Sequence, residues 1–537
     1  MSAAAEARTL HAIGLALAGA VPGGAALTGF KAESLARMAG AGLPVPPGFV
    51  LGTGWSAFLQ ADPAGAPPRM REALADGMRA LEAACGLSFA GERRPLLVSV
   101  RSGAPTSMPG MMDTILNIGL CDRTARGLLR LTGNPRLVWD CYRRLVQQYA
   151  CVVKGARAAP FHELAAESAA RAGVAGPREL DFENLAALAQ ASLVLFEDLT
   201  GEAFPQDPRE QLEQATLAVF RSWNSPRAVE YRRLNAIAAD GGTAVTIQRM
   251  VYGNAGGTSG SGVGFTRDPA TGEDRLYLDF LFNAQGEDVV SGRHAVTGTA
   301  RLPQALPEVA QRLEEARGAL ESLFGDAQEF EFTVQDGRLY LLQSRSAKRT
   351  PWAALRIAVE QVAAGIATPA QALARLEGID LERIERRRLE VDGAEVLATA
   401  SSASIGMAAG AIALDRKACE RLAGKGRRVI LVRGEANTDD VACIALATGL
   451  LTARGGRTSH AAVVARQLGK VCLVGCEALS IDLEARRVRL GSRTLKEGET
   501  ICLDADNGRV FAGEPRSVVE RPLAALAQAA KWRADAA

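Results

Sequence analysis

The chain has 537 residues, 48% of them apolar and 23% charged, with 62 Lys and Arg against 60 Asp and Glu. A chain this long holds about three to four domains, and its composition excludes a disordered, collagen-like or coiled-coil protein. The net charge of +2 lacks the basic footprint that neutralises many phosphates, so nucleic acid is not an expected partner. The nine Cys form an odd set without a CxxC pair. A chain long enough to bury real cores needs no disulfide framework, so reduced thiols and a cytoplasmic setting are expected. No run of about 18 apolar residues occurs, and no membrane association is expected. The uncharged stretch Ile13 to Leu27 imitates a short leader, but Pro22, Gly23 and Gly24 interrupt it.

In chain order, Leu35, Met38 and Ala39 at helical spacing predict a helix over Ala32 to Ala39, which Gly40 to Gly48 (GAGLPVPPG) stops. A strand is predicted at Phe49 to Leu51. Another at Leu96 to Val100 runs into RSGAPTSMPGMMDT, too rich in Gly, Pro and Ser for helix. Residues 121–235 read as helical, and short strands resume at Ala244 to Val251 and Leu276 to Phe282. Phe330 to Val334 and Arg338 to Gln343 read as a hairpin. Lys348 to about Glu395 reads as a helical connector. A small α/β unit over 396–513 alternates strands at Val429 to Val432, Gly449 to Ala453 and Val471 to Val474 with helices at Asp439 to Ala447 and Ala461 to Leu468. The tail from Arg516 reads as an Ala-rich helix.

Three strings carry chemistry. In LTARGGRTSHAAVVARQLGK (451–470), His460, one of four histidines, sits where a glycine turn hands a strand to a helix. The free N–H groups and dipole of a helix start favour an anion, so an imidazole there can accept a phosphoryl group. In EFEFTVQDGRLYLLQSR (329–345), alternation puts Glu329 and Glu331 on one face of a strand, and Gln343 and Arg345 on one face of the next. A three-residue Gln335-Asp336-Gly337 loop would bring all four together as a hard oxygen site for Mg²⁺ with a guanidinium for phosphate. A two-residue Asp-Gly turn would split them. The third string, GNAGGTSGSGVGFTRDP (253–269), lies between two strands, and its glycines would let backbone N–H groups close on phosphates or would form a flexible surface hairpin.

Together these strings resemble the N-terminal and central domains of the pyruvate phosphate dikinase family, collinearly from about Lys31 to about Gly513. The resemblance rests on GLPVPPGF (42–49), VSVRSGAPTSMPGMMDTILNIGL (98–120), FPQDP (204–208), VFRSWNSPRA (219–228), TSGSGVGFTRDPATGE (258–273), NAQGEDVVSG (283–292), LQSRSAKRT (342–350) and the His460 segment. It implies an α+β and α/β multidomain chain: an ATP-grasp nucleotide-binding domain over 1–347 with a helical insert at about 121–235, a helical connector (348–395), a swivelling β/β/α phosphohistidine domain (396–513) and a C-terminal helix (514–537). It also implies Mg²⁺-dependent transfer of a pyrophosphoryl group from ATP to His460, release of AMP, and inorganic phosphate as the second acceptor. Carried over position by position, Lys31 and Arg101 would hold ATP phosphates. Glu287, Glu329, Glu331 and Gln343 would belong to the nucleotide and Mg²⁺ site, and Arg345 would contact the reacting phosphates.

Four features depart from the family pattern. TGFKAES (28–34) stands for the usual GGKGAN, Arg457 for a methionine and Glu329 for a common aspartate. The family's C-terminal (β/α)₈ barrel for pyruvate or phosphoenolpyruvate has no counterpart in these residues. Thr458 stands where some members carry a regulatory phosphothreonine, and a simple turn hydroxyl is the plainer reading. The expectation is an ATP-dependent phosphotransferase that charges His460 and passes the phosphoryl group to pyruvate on a separate barrel protein. The alternatives are another small-molecule or protein acceptor, or a non-catalytic ATP-sensing regulator, against which intact Arg101, Glu331, Arg345 and His460 argue.

Overall fold

The computed structural model describes residues 10–17, 24–106, 108, 112–234, 237–238, 241–290, 298–390, 395–436, 440–457 and 459–536. Thr458 and the side chain of His460 lie outside them. Helices and strands mix throughout, the multidomain α and β architecture expected. The chain divides into two compact units, one running to Val251 and taking in Tyr340–Gln343, the other holding Tyr252–Leu339 and everything from Ser344.

The first unit is built on five antiparallel strands, β1 (Leu10–Ile13), β2 (Gly48–Leu51), β3 (Val98–Gly103), β4 (Thr114–Ile118) and β5 (Ala244–Arg249), in the order β1-β2-β5-β3-β4. All six residues of β3 are buried, the polar Ser99, Arg101 and Ser102 among them. Helix α1 (Ala25–Gly40) precedes β2, and between β4 and β5 six helices run from Asp122 to Leu234. Pro135 is the first residue of the helix Pro135–Val152, where its missing N–H costs nothing and Asn134 caps the turn.

The second unit opens on a four-stranded sheet of β6 (Gly260–Phe265), β7 (Tyr277–Phe282), β8 (Gln328–Gln335) and β9 (Arg338–Ser346), ordered β9-β8-β6-β7. This corrects the reading of 253–269: GSGVGF is a fully buried inner strand rather than part of a phosphate loop. Its glycines make room for aromatic rings. A Cβ at Gly260 would lie 2.2 Å from the Phe280 ring, and one at Gly262 or Gly264 would lie 2.4 Å from the ring of Phe332 or Phe330. Alternate Gly and larger residues in one strand thus give β6 a flat face for stacked phenylalanines, with Phe280 and Phe332 centroids 5.8 Å apart.

Arg267, 3% exposed, ties this sheet to two helices: Nε lies 2.9 Å from Glu321 Oε1 on Pro307–Phe324, and Nη1 lies 2.6 Å from Glu360 Oε2 on α2 (Pro351–Ala363). Removing one partner of a buried charge cluster leaves the others uncompensated. Arg267→Ala is therefore expected to destabilise the unit by about 3–5 kcal/mol, read as a lower denaturation midpoint. An unchanged midpoint would show the cluster to be idle.

Helices α2, α3 (Pro369–Arg375) and α5 (Leu523–Ala536) share one apolar cluster that includes Leu355, Ala372 and Trp532. The tail differs from expectation, because Ser517–Glu520 is a strand paired antiparallel with Arg386–Leu389 before the helix begins. Its two central valines favour extended backbone, and Pro522 disfavours helix at Arg521, so the helix starts only at Leu523. Between these pairs lies an eight-stranded sheet whose parallel centre is β10 (Met407–Ala413), β11 (Val429–Arg433), β12 (Gly449–Thr452) and β13 (Val471–Val474). Alternate residues feed two cores. Ile412, Ile430 and Val432 face a three-stranded sheet containing Leu479, Val488 and Leu495, while Ala411, Val429 and Leu431 face helices carrying Cys419, Ile444 and Ala462. The layers are β/β/α. Among the described residues no helix is long and apolar enough to cross a membrane.

Candidate active site

In the first unit, the approach to Lys31 depends on Gly29. Its φ of 76° interrupts α1, and a Cβ there would lie 2.0 Å from the Gly103 carbonyl oxygen. Only glycine fits. The close approach lets Phe30 N donate to Ala104 O at 2.9 Å, which sets Lys31 beside the end of β3. Two residues back along that strand, Arg101 is 9% exposed, and its Nη1 donates to Leu342 O at 3.1 Å and reaches Gln248 Oε1 at 3.5 Å. Gln248 is itself held by Pro46 O at 2.8 Å. Arg101 thus grips the peptide immediately before Gln343, so Lys31, Arg101 and Gln343 belong to one unit.

In the second unit, Asp336 and Gly337 both have positive φ, 50° and 73°, so the β8–β9 turn is the two-residue kind. That turn should have split the polar set. Yet Arg345 Nη2 lies 2.6 Å from Glu329 Oε1. The reason is a slip in β9: Leu339 and Leu341 are buried and Tyr340 and Leu342 half-buried, but Gln343 is half-buried too, and the alternation resumes at Ser344 one residue out of step. That break in alternation, of the kind a β-bulge produces, accompanies the placement of Arg345 against Glu329. Such a slip has no signature in the local sequence.

Glu329 is 5% exposed, and its second oxygen, Oε2, is buried without a hydrogen-bond donor. Burial works against the Arg345 charge, but Glu329 and Glu331 outweigh it and hold the guanidinium above its ordinary value. A buried carboxylate oxygen lacking a donor fits a hard cation. Among the described residues no three His, Cys, Asp or Glu form a metal cage. A Mg²⁺ ion at Glu329 and Glu331 would therefore draw its remaining ligands from phosphates and water, the usual habit of that ion. Glu287 is exposed, in the first turn of the short helix Gly286–Val290.

His460 is the first residue of helix α4 (His460–Gln467). Ser459 caps it, its hydroxyl accepting from Ala462 N at 3.4 Å, and Gly455 turns the chain at φ 111°. The remaining N–H groups of a helix's first turn have no partner within the helix and favour an anion. Burial pushes the thiols of Cys472 and Cys502 up to about 12, which disfavours their thiolates.

Sequence reasoning missed Gln248 behind Arg101, and Asp279 and Tyr277, which hold Arg457 (Nε to Asp279 Oδ1, 3.2 Å). Asp279 left a signal: it is the lone charge in the buried strand YLDFLF.

Two family models match this chain: the pyruvate phosphate dikinase AMP/ATP-binding domain over residues 63–299, and the mobile domain of PEP-utilising enzymes over 425–508. The second match encloses the His460 helix. The chain belongs to the pyruvate phosphate dikinase family. It is 41% identical to pyruvate, phosphate dikinase of Clostridium symbiosum over 492 residues, which is 91% of this chain and 56% of that protein. Pyruvate, phosphate dikinase 2 of Zea mays gives 41% over 491 residues, and the Rhizobium meliloti enzyme 40% over 499. The chain thus spans about half the length of the curated relatives it matches.

Proposed function

We propose that this chain performs the ATP-driven half of a dikinase reaction. A nitrogen of His460 attacks the β-phosphorus of ATP, the bond to the α-phosphate oxygen breaks, and AMP leaves. The terminal phosphoryl group then passes to inorganic phosphate, and the β-phosphoryl group stays on His460. Lys31 and Arg101 hold phosphate oxygens, Glu287 and Gln343 bind nucleotide, and Arg345 neutralises charge on the transferring group. Glu329, Glu331 and Gln343 would hold Mg²⁺, which would supply neutralisation of phosphate charge. Glu329 also fixes Arg345. The observation that carries this reading is the buried Glu329, one oxygen on Arg345 and the other without a donor, in a chain whose His460 opens a capped helix.

The phosphoryl group on His460 then passes to pyruvate bound by a barrel on another polypeptide, and the setting is the reducing cytoplasm, which nine unbridged thiols support. With ATP, Mg²⁺, phosphate and pyruvate, the purified chain is expected to release about one AMP per protein and then stall for lack of an acceptor; a barrel protein should restore turnover and discharge the label. Phosphoenolpyruvate made continuously by this chain alone would overturn the acceptor assignment, and failure to release AMP would overturn the phosphotransferase reading.

A further inference from the structure

The loop that carries His460 is tied to β7 by one side chain. Arg457 Nε lies 3.2 Å from Asp279 Oδ1, Nη2 donates to Leu278 O at 3.0 Å, and the guanidinium carbon sits 4.3 Å from the Tyr277 ring centroid. Asp279 is 2% exposed, and the Tyr277 hydroxyl donates to Ser402 O at 3.1 Å. From the other side, the Arg457 carbonyl accepts from Nη2 of Arg466 at 2.8 Å. Arg466 is fully buried in α4 and also donates from Nε to Ala403 O at 2.9 Å. The residue three positions before His460 is therefore gripped at both ends, its backbone by the histidine's own helix and its side chain by a strand of the nucleotide-binding sheet.

The sheet register relates that grip to the carboxylates. Asp279 pairs with Val263 and Val263 with Glu331; Tyr277 pairs with Phe265 and Phe265 with Glu329. Paired residues of antiparallel strands project to one face, and two strand spacings amount to about 10 Å. Asp279 and Tyr277 thus rise from the same sheet face as Glu331 and Glu329, in the same two rows. A methionine at 457 could fill space beside Tyr277 but could not bond Asp279 or the Leu278 carbonyl.

We propose that Arg457 is a positioning residue: it latches the His460 loop onto the nucleotide-binding sheet for phosphoryl transfer from ATP, and the latch opens when the histidine turns to its acceptor. This rests on the function proposed above. In the full chain, Arg457→Met and Asp279→Asn should each lower the maximal single-turnover rate of His460 labelling about tenfold, because a small misplacement of a nucleophile is costly. The ATP concentration for half-maximal rate should stay within about twofold, since binding groups are untouched. The double variant should be no worse than either single one, and Arg457→Lys should recover part of the rate. Amide hydrogen exchange in the loop ahead of α4, measured without ATP, should quicken in Arg457→Met. An unchanged maximal rate, or a change confined to half-saturation, overturns the latch. Unchanged loop exchange overturns it even in a protein that never labels, whereas quickened exchange in a protein that never labels upholds the latch and removes only the phosphotransferase reading.

Discussion

Incubation of the chain with Mg²⁺ and β-labelled ATP is expected to yield an acid-labile, base-stable phosphoprotein, and His460→Ala should bring that label to background. The expectation follows from placement. A neutral imidazole is a competent nucleophile near pH 7. The helix that His460 opens presents unsatisfied N–H groups to the oxygens of the transferred group. Alanine keeps the helix intact: Ser459 still caps Ala462 N, and alanine is the strongest helix former. Loss of label in a variant that melts normally therefore isolates the side chain. Label that persists after this substitution would place the acceptor elsewhere in the chain.

The second large effect is expected at the Glu329–Arg345 pair. A guanidinium aimed at developing phosphate charge is worth about 10²–10³ in rate, so Arg345→Ala should slow labelling by that factor. Truncation also strands Glu329, a 5% exposed carboxylate, and the variant should lose stability as well as activity. Arg345→Lys separates the two effects. It keeps a cation for Glu329 but cannot reproduce the planar fork, so stability should largely return while the rate stays depressed. Glu331→Gln, at a half-buried position, should spare the fold and raise the Mg²⁺ concentration needed for labelling. Normal rates in Arg345→Lys together with an unaltered Mg²⁺ requirement in Glu331→Gln, both at subsaturating ATP, would exclude the hairpin as the nucleotide site.

The same pair shows what could be read before any tertiary structure was known. Sequence period placed Glu329 with Glu331 and Gln343 with Arg345, but left open whether the turn holds three residues, which joins the two pairs, or two, which separates them; the structure has the two-residue turn. The alternation of β9 slips by one residue at Gln343, and Tyr340–Gln343 belong to the first unit, Leu341 N donating to Pro44 O at 2.8 Å and Arg101 to Leu342 O. Those contacts are long-range, invisible to any window of sequence.

Locally encoded features were legible because their causes are local. The Gly-rich turn and Ser459 cap start the His460 helix, and alternating apolar residues build the parallel strands of its domain. Strings such as TSGSGVGFTRDPATGE and the His460 segment identified the family outright. The glycines of 260–264 show the limit of such reading. Their composition suggests a loop, yet they are a buried strand, because each missing Cβ is the space taken by a phenylalanine from β7 or β8. Arg457 completes the contrast. Its identity set it apart in sequence as a departure from methionine, but its partners, Asp279 and Tyr277, lie about 180 residues earlier in the chain, and only the folded sheet, by pairing β7 with β6 and β6 with β8, puts that arginine's anchor in the same rows as the carboxylates.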